Sequence, residues 1–193
     1  MAFETAVLSG HIVRMVPLTA AHTPGLLAAA AASPGAFPWI IGMDKPETQS
    51  AWIEFGLSEA AKGAAVPYAT VLQATGEVIG TSRFAMLSWE NRRAEIGWTW
   101  VGKPWQRTGA NREAKLLMLR QAFDVWKLGR VEFKTDSLNN QSRTALAALG
   151  AKEEGIFRNH MVRPDGSFRH SVYFSILPEE FPAIAAKIEA SLP

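Results

Sequence analysis

The chain contains no cysteine. Disulfides, thiolate metal sites and a cysteine nucleophile are thereby excluded. It also lacks a strong excess of either charge. A net charge of +2 gives little support to a general role on nucleic acid, although a few local basic groups suffice to hold an anionic ligand. No apolar run approaches the ~18 residues that a membrane helix needs, so no membrane association is expected. The opening "MAFETAVLSG" has neither a basic region nor an apolar core, and no signal peptide is read there. The four histidines show no metal-ligand spacing, and no metal is expected. What is present, 48% hydrophobic and 20% charged residues over 193 positions, fits one globular cytoplasmic domain with a sizeable core, spanning residues 1–193.

Hydrophobic periodicity orders the chain. "HIVRMVPL" (11–18) alternates and then meets proline, which predicts a strand. Thr19 can cap an alanine-rich helix ending near residues 33–35, and Pro46–Gly63 has the Pro-first, Gly-last signature of a second helix, with Trp52, Phe55 and Leu57 as its expected buried face. Three strands follow at 66–73, 78–87 and 93–102, the first two joined by the turn "ATGE". A long helix is expected from Gly109 to Lys127, with Leu116, Leu119, Phe123 and Trp126 on one buried face. A strand (128–136), a capped helix (139–150), two strands around "PDGS" and a closing helix complete the order. Seven strands, some in hairpins and some joined by helices, predict a mixed sheet.

The turn "QRTGAN" opens the long helix. The first four N–H groups of a helix have no partner inside it, and the aligned peptide dipoles add partial positive charge. Glycine at 109 removes a Cβ that would block close approach, and Arg107 and Arg112 can add charge at the rim. On physics alone this is a candidate pyrophosphate cradle. The same residues also admit a plain turn.

"QRTGANREA" resembles the pyrophosphate loop of the GNAT superfamily of N-acetyltransferases, in particular the RimJ/RimL-like branch with its pattern W-G-x-G-x-A-x-E-A. Gly109 matches the second glycine, Arg107 stands at the first, and Asn111 stands at the small residue. An arginine in that place is expected to keep an ordinary backbone conformation. "DSLNNQSRTALAALGAKEEGIFR", with Asn139 and Ser142 in the branch's N-x-x-S, carries the second likeness, and "EIGW" and "VYFSI" extend it. The resemblance implies an α/β GNAT fold, a mixed and mostly antiparallel twisted sheet of about seven strands flanked by helices. It implies acetyl-CoA as cosubstrate, held by Arg107, Thr108, Gly109, Ala110, Asn111 and Arg112 at the loop. It also implies a backbone donor for the thioester carbonyl at Thr99, Trp100 and Val101. Asn139 would bond the pantetheine arm, and Ser142 would protonate the departing thiolate. By its position Asn139 is also a plain N-cap, and Ser142 an ordinary first-turn residue.

Acyl transfer to an amine needs the neutral amine. An α-amino group is roughly 10–17% neutral at pH 7, a lysine only ~0.04%. Glu95 is the candidate base. Alternation puts it on one face with Gly97 and Thr99, towards a cleft or at a solvated edge. His160 and His170 also titrate in range. Phe37 and Trp39, in the irregular "FPWI" between the first two helices, are candidate walls of the acceptor site. The expected activity is acetyl transfer to a small-molecule amine or a protein N-terminus, with a homodimer suggested by analogy. The rival reading is a CoA-binding sensor or interaction domain without turnover.

Overall fold

The computed structural model describes residues 3–193. Eight strands form one sheet: β1 (Leu8–Ser9), β2 (Val13–Pro17), β3 (Val66–Leu72), β4 (Val78–Ser88), β5 (Arg93–Val101), β6 (Arg130–Asp136), β7 (Lys152–Val162) and β8 (Phe168–Ile176). Their spatial order is β1-β2-β3-β4-β5-β6-β8-β7. All neighbours are antiparallel except β5 and β6. The expected mixed sheet is present, with one strand more than the pattern gave. The addition is the two-residue β1, too short to show a period.

Five α-helices cover the sheet: α1 (Thr23–Ala31), α2 (Pro46–Ala61), α3 (Ala110–Arg120), α4 (Asn140–Leu149) and α5 (Phe181–Ala190). The long helix ends earlier as an α-helix than its periodicity suggests, because Gln121–Val125 widens into a π-turn. Leu116, Leu119, Phe123 and Trp126 are nevertheless all buried, as their spacing requires. One apolar cluster, including α3 and α5, fills one face of the sheet. A second, smaller one joins α1, α2 and the loop between them to the other face. The expected face of α2 holds for Trp52 and Leu57, which pack against the second cluster, and is corrected at Phe55. Gln49, Ile53 and Gly56 are its buried residues, whereas Phe55 is 50% exposed and Trp52 half-buried. Phe55 lies off the stripe of Gln49, Ile53 and Gly56, which recur at the helical spacings of four and three.

α3 is anchored by a buried carboxylate. Glu113, 2% exposed, accepts the backbone N–H groups of His11 (2.7 Å), Ile12 (2.8 Å) and Val13 (2.7 Å). Three successive amides make a concave anion seat. They fix the β1–β2 hairpin against the first turn of α3. Gly10 is required beside it, since a Cβ there would come within 2.4 Å of the carboxyl carbon. Replacing Glu113 by Gln removes the charge and leaves buried amides short of acceptors. Glu113→Gln is expected to lower unfolding free energy by about 2 kcal/mol or more in urea titrations.

Candidate active site

β5 and β6 pair over only three residues, Arg93 to Glu95 against Arg130 to Glu132. Beyond that point the strands part. β6 continues on β8 alone, and β5 on β4 alone. Within β5 the ladder also slips. Thr81 faces Trp100 and Arg83 faces Gly97, so Ser82 opposes both Trp98 and Thr99. Trp98 takes the left-handed conformation, φ 49°, which makes this a β-bulge at the mouth of the opening. The bulge overturns the simple alternation expected for β5. Trp98 and Trp100 turn to the α2 side, Trp100 packing 5.0 Å from Phe37, while Thr99 turns to α3.

On the α3 side, Lys115 reaches the bulge. Its Nζ donates to Thr99 Oγ1 at 2.6 Å and to Ser82 Oγ at 3.2 Å. The two hydroxyl oxygens are themselves 2.6 Å apart. Among the described residues no carboxylate pairs with this lysine, and burial alone pulls its ammonium down to about 7. The lysine went unnoticed in sequence, although it shares helical spacing with buried Met118, Leu119 and Ala122. A charge on that apolar stripe was the available signal.

The cradle lies directly after β5. Gly109 is the N-cap of α3 with φ 95°. The amides of Thr108 to Arg112 donate to no acceptor among the described residues. Such free amides could hold an anion such as a diphosphate, for which helix N-termini are suited. Arg107 has φ 64°, which corrects the expectation of an ordinary conformation. The loop turns twice through left-handed backbone, once at an arginine. Arg107, Thr108, Asn111 and Arg112 are exposed, whereas Ala110 is buried. Thr108 Oγ1 donates to Trp105 O (2.7 Å), and Gln106 Nε2 to Val101 O (3.1 Å), tying the loop to the end of β5. The glycine's role also differs from expectation. A Cβ on Gly109 would meet Ile12 Cδ1 and Pro193 Cδ at 3.0 Å, so it would press into the protein.

Asn139 caps α4, its Oδ1 accepting the Ser142 amide at 3.0 Å. The loop before it is held by Asp136, which accepts the Leu138 amide (2.9 Å) and pairs with Arg163 (2.6 Å). Ser142 is half-buried, and its hydroxyl has no partner among the described residues. Glu95 is 3% exposed, which removes the solvated-edge reading. It sits at the last paired position before the strands part and lines a cleft of about 410 Å³ with Lys134, Glu132, Arg130 and Tyr173. Burial raises its pKa. Lys134, with Nζ 3.4 Å from Oε2, opposes that rise, and Glu132 adds to it. His170 Nδ1 accepts the Asn159 amide at 2.8 Å in an irregular stretch of β7, a structural use. Phe37 is 6% exposed within the second cluster, and Trp39 in the same loop is 40% exposed.

The acetyltransferase (GNAT) domain model matches residues 13–152, most of the sheet together with the cradle. The chain belongs to the GNAT acetyltransferase family. An N-acetyltransferase of Bacillus licheniformis, p20, itself uncharacterized, is 32% identical over 120 residues. That match covers 62% of this chain and 66% of the relative's own length. The structure of a GCN5-related N-acetyltransferase from Brucella melitensis superposes with a TM-score of 0.87 at 30% identity, over 97% of this chain and 85% of that one. RimJ of Mycobacterium smegmatis, solved in complex with CoA-disulfide, gives 0.74 at 24% identity over 96% and 90%, a likeness of fold. The parted strands, the bulge and the free amides are contiguous along β5 and α3 of this chain.

Lys115 sets a pH dependence of stability. Unfolded, its pKa is near 10.5, and folded about 7. Between these values the unfolded chain binds one more proton than the native protein, so stability rises with pH. Its cost is complete below pH 7 and gone above 10.5. Wild type is expected to gain up to about 1.4 kcal/mol per pH unit over that window relative to Lys115→Met. Urea unfolding of both proteins from pH 6 to 10 checks this, with parallel pH curves as the contrary result.

Proposed function

We propose that this GNAT domain transfers an acetyl group from acetyl-CoA to a primary amine, including the α-amine of a peptide or protein, by direct attack on the thioester. The observation that carries the reading is the opening between β5 and β6, with a buried carboxylate at its base and free helix amides at its end. Amides Thr108 to Arg112 would hold the diphosphate, with Arg107 and Arg112 at the rim. The bulged segment Thr99–Val101 would present backbone N–H to the thioester oxygen as negative charge develops there. Asn139, its oxygen used in capping, keeps its amide nitrogen for the pantetheine arm. Ser142, with its hydroxyl uncommitted, would give a proton to the departing thiolate.

Glu95 is the group suited to accept the amine's proton. Its burial holds the carboxyl above the ordinary range, closer to the pH at which an α-amine is partly neutral. Lys134 keeps it from being stranded as an unpaired charge. Trp39 is the exposed aromatic of the α1–α2 loop and would wall the acceptor side, with Phe37 bracing that loop from within.

Thiol release from acetyl-CoA against a panel of amines tests the reading. CoA binding with no release on any amine would sink it in favour of a sensor. Glu95→Gln is expected to lower kcat about 100-fold with little change in the KM for acetyl-CoA. Wild-type rate should fall as pH drops through the raised pKa of Glu95, because the protonated form cannot take a proton. That acidic limb should vanish in the variant. Ser142→Ala is expected to lower kcat more than it weakens CoA binding, as calorimetry with CoA would reveal.

A further inference from the structure

On the α2 side of the sheet, one cation has been buried without a counter-ion. Arg83, in the middle of β4, is 3% exposed. Its guanidinium carbon lies 4.9 Å from the ring centre of Trp98, 5.1 Å from Trp52 and 5.6 Å from Phe55. Gly56 of α2 lies against it: a Cβ there would stand in ordinary contact, 3.5 Å from Nη2. The edges of the guanidinium are not served. Among the described residues, the guanidinium forms no ion pair and no hydrogen bond. Glu59 acts on Arg83 only through its field, and its carboxylate is 2.9 Å from Lys62. Of the other arginines on the sheet, Arg93 pairs with Glu132 and Arg130 with Glu132 and Glu154, while Arg14 and Arg158 form no ion pair among the described residues but are less buried than Arg83.

An unpaired buried ion is costly, and aromatic faces offset only part of that cost, about 0.5–2 kcal/mol for each well-placed ring. Burial brings the guanidinium down to about 10, so it stays charged at neutral pH. What it lacks is a planar anion along its forked edge, the partner that arginine binds best. The place is also informative. Arg83 pairs across the ladder with Gly97, and Glu95 is two residues back on the same face. Diagonal neighbours of this kind lie roughly 7–8 Å apart at Cα, within reach of long side chains. Gly97 puts no side chain between them. Trp98 is shared: Lys134 Nζ, the partner of Glu95, lies 6.0 Å from the ring that Arg83 covers.

We propose that Arg83 reads a carboxylate on the acceptor, so that preferred acceptors carry an anionic group a few bonds from the reacting amine. This deepens the acetyl-transfer reading and rests on it. The amine lies towards Glu95 and the carboxylate towards Arg83, with the half-exposed Phe55 as the outer wall it passes. The carboxylate belongs either to a free amino acid or to an acidic first residue of a peptide.

Binding of product-like ligands, which have no reactive amine, tests this apart from turnover. N-acetylleucine against N-acetylleucinamide probes the free amino acid. N-acetylglutamyl-alaninamide against N-acetylglutaminyl-alaninamide probes the peptide. Tryptophan fluorescence is the readout, since Trp52 and Trp98 flank the guanidinium. The acid member of at least one pair is expected to bind tenfold or more tightly than its amide. Arg83→Met should abolish the gap, and Arg83→Lys should keep part of it, with circular dichroism melting to verify folding. Equal binding within both pairs in the wild type, or a gap that survives in folded Arg83→Met, overturns the proposal. A thiol-release assay with leucine and leucinamide reads the transfer reaction separately. Its failure on every amine would remove the chemistry but leave the binding comparison decisive for Arg83.

Discussion

The site depends on how briefly two parallel strands stay together. β5 and β6 share three residue pairs and then separate. Backbone groups in the middle of a sheet are thereby released from the ladder. Buried backbone polar groups normally find partners, so such a gap persists only where the rest of the structure enforces it. Here the enforcement comes from both faces. Lys115 bonds Thr99 and Ser82 from the α3 side, while Trp98 and Trp100 are packed on the α2 side against Arg83 and Phe37. The bulge at Trp98 gives β5 the extra residue that lets both sets of contacts form.

The same strand joins the two ends of the chemistry. Its first half carries Glu95 into the cleft, and its last residue, Val101, accepts from Gln106 at the start of the cradle. The cradle is in turn fixed from behind by Glu113, one turn into α3, through three amides of the N-terminal hairpin. An acyl carrier held at α3 and an amine held beside Glu95 would meet at the bulge without any long flexible segment between them. Rigid support of this kind keeps reacting groups within the small tolerances that acyl transfer requires.

The two faces of the sheet divide the work electrostatically. On the α3 face, a lysine is buried among hydroxyls and stripped towards neutrality. On the α2 face, an arginine is buried among rings and keeps its charge. The contrast follows from chemistry. An ammonium loses a proton readily once desolvated, whereas a guanidinium does not and spreads its charge over a plane that aromatic rings can cover.

Much of this was legible without coordinates. The element order, the face of the long helix, the glycine turn that opens it and the cap at Asn139 all follow from local patterns: spacing, glycine, and short polar side chains before helices. These are properties of neighbours in the chain, and a sequence displays neighbours. The direction of Gly109, the left-handed Arg107, the face taken by Thr99 and Trp100, and the burial of Glu95, Lys115 and Arg83 were decided only by tertiary structure. Each depends on what lies opposite: Ile12 and Pro193 behind the glycine, β4 across the bulge, Gly56 over the guanidinium. A bulge of one residue reverses every later side chain on its strand. Burial likewise sets a residue's charge by its surroundings in space, and those come from segments far away along the chain.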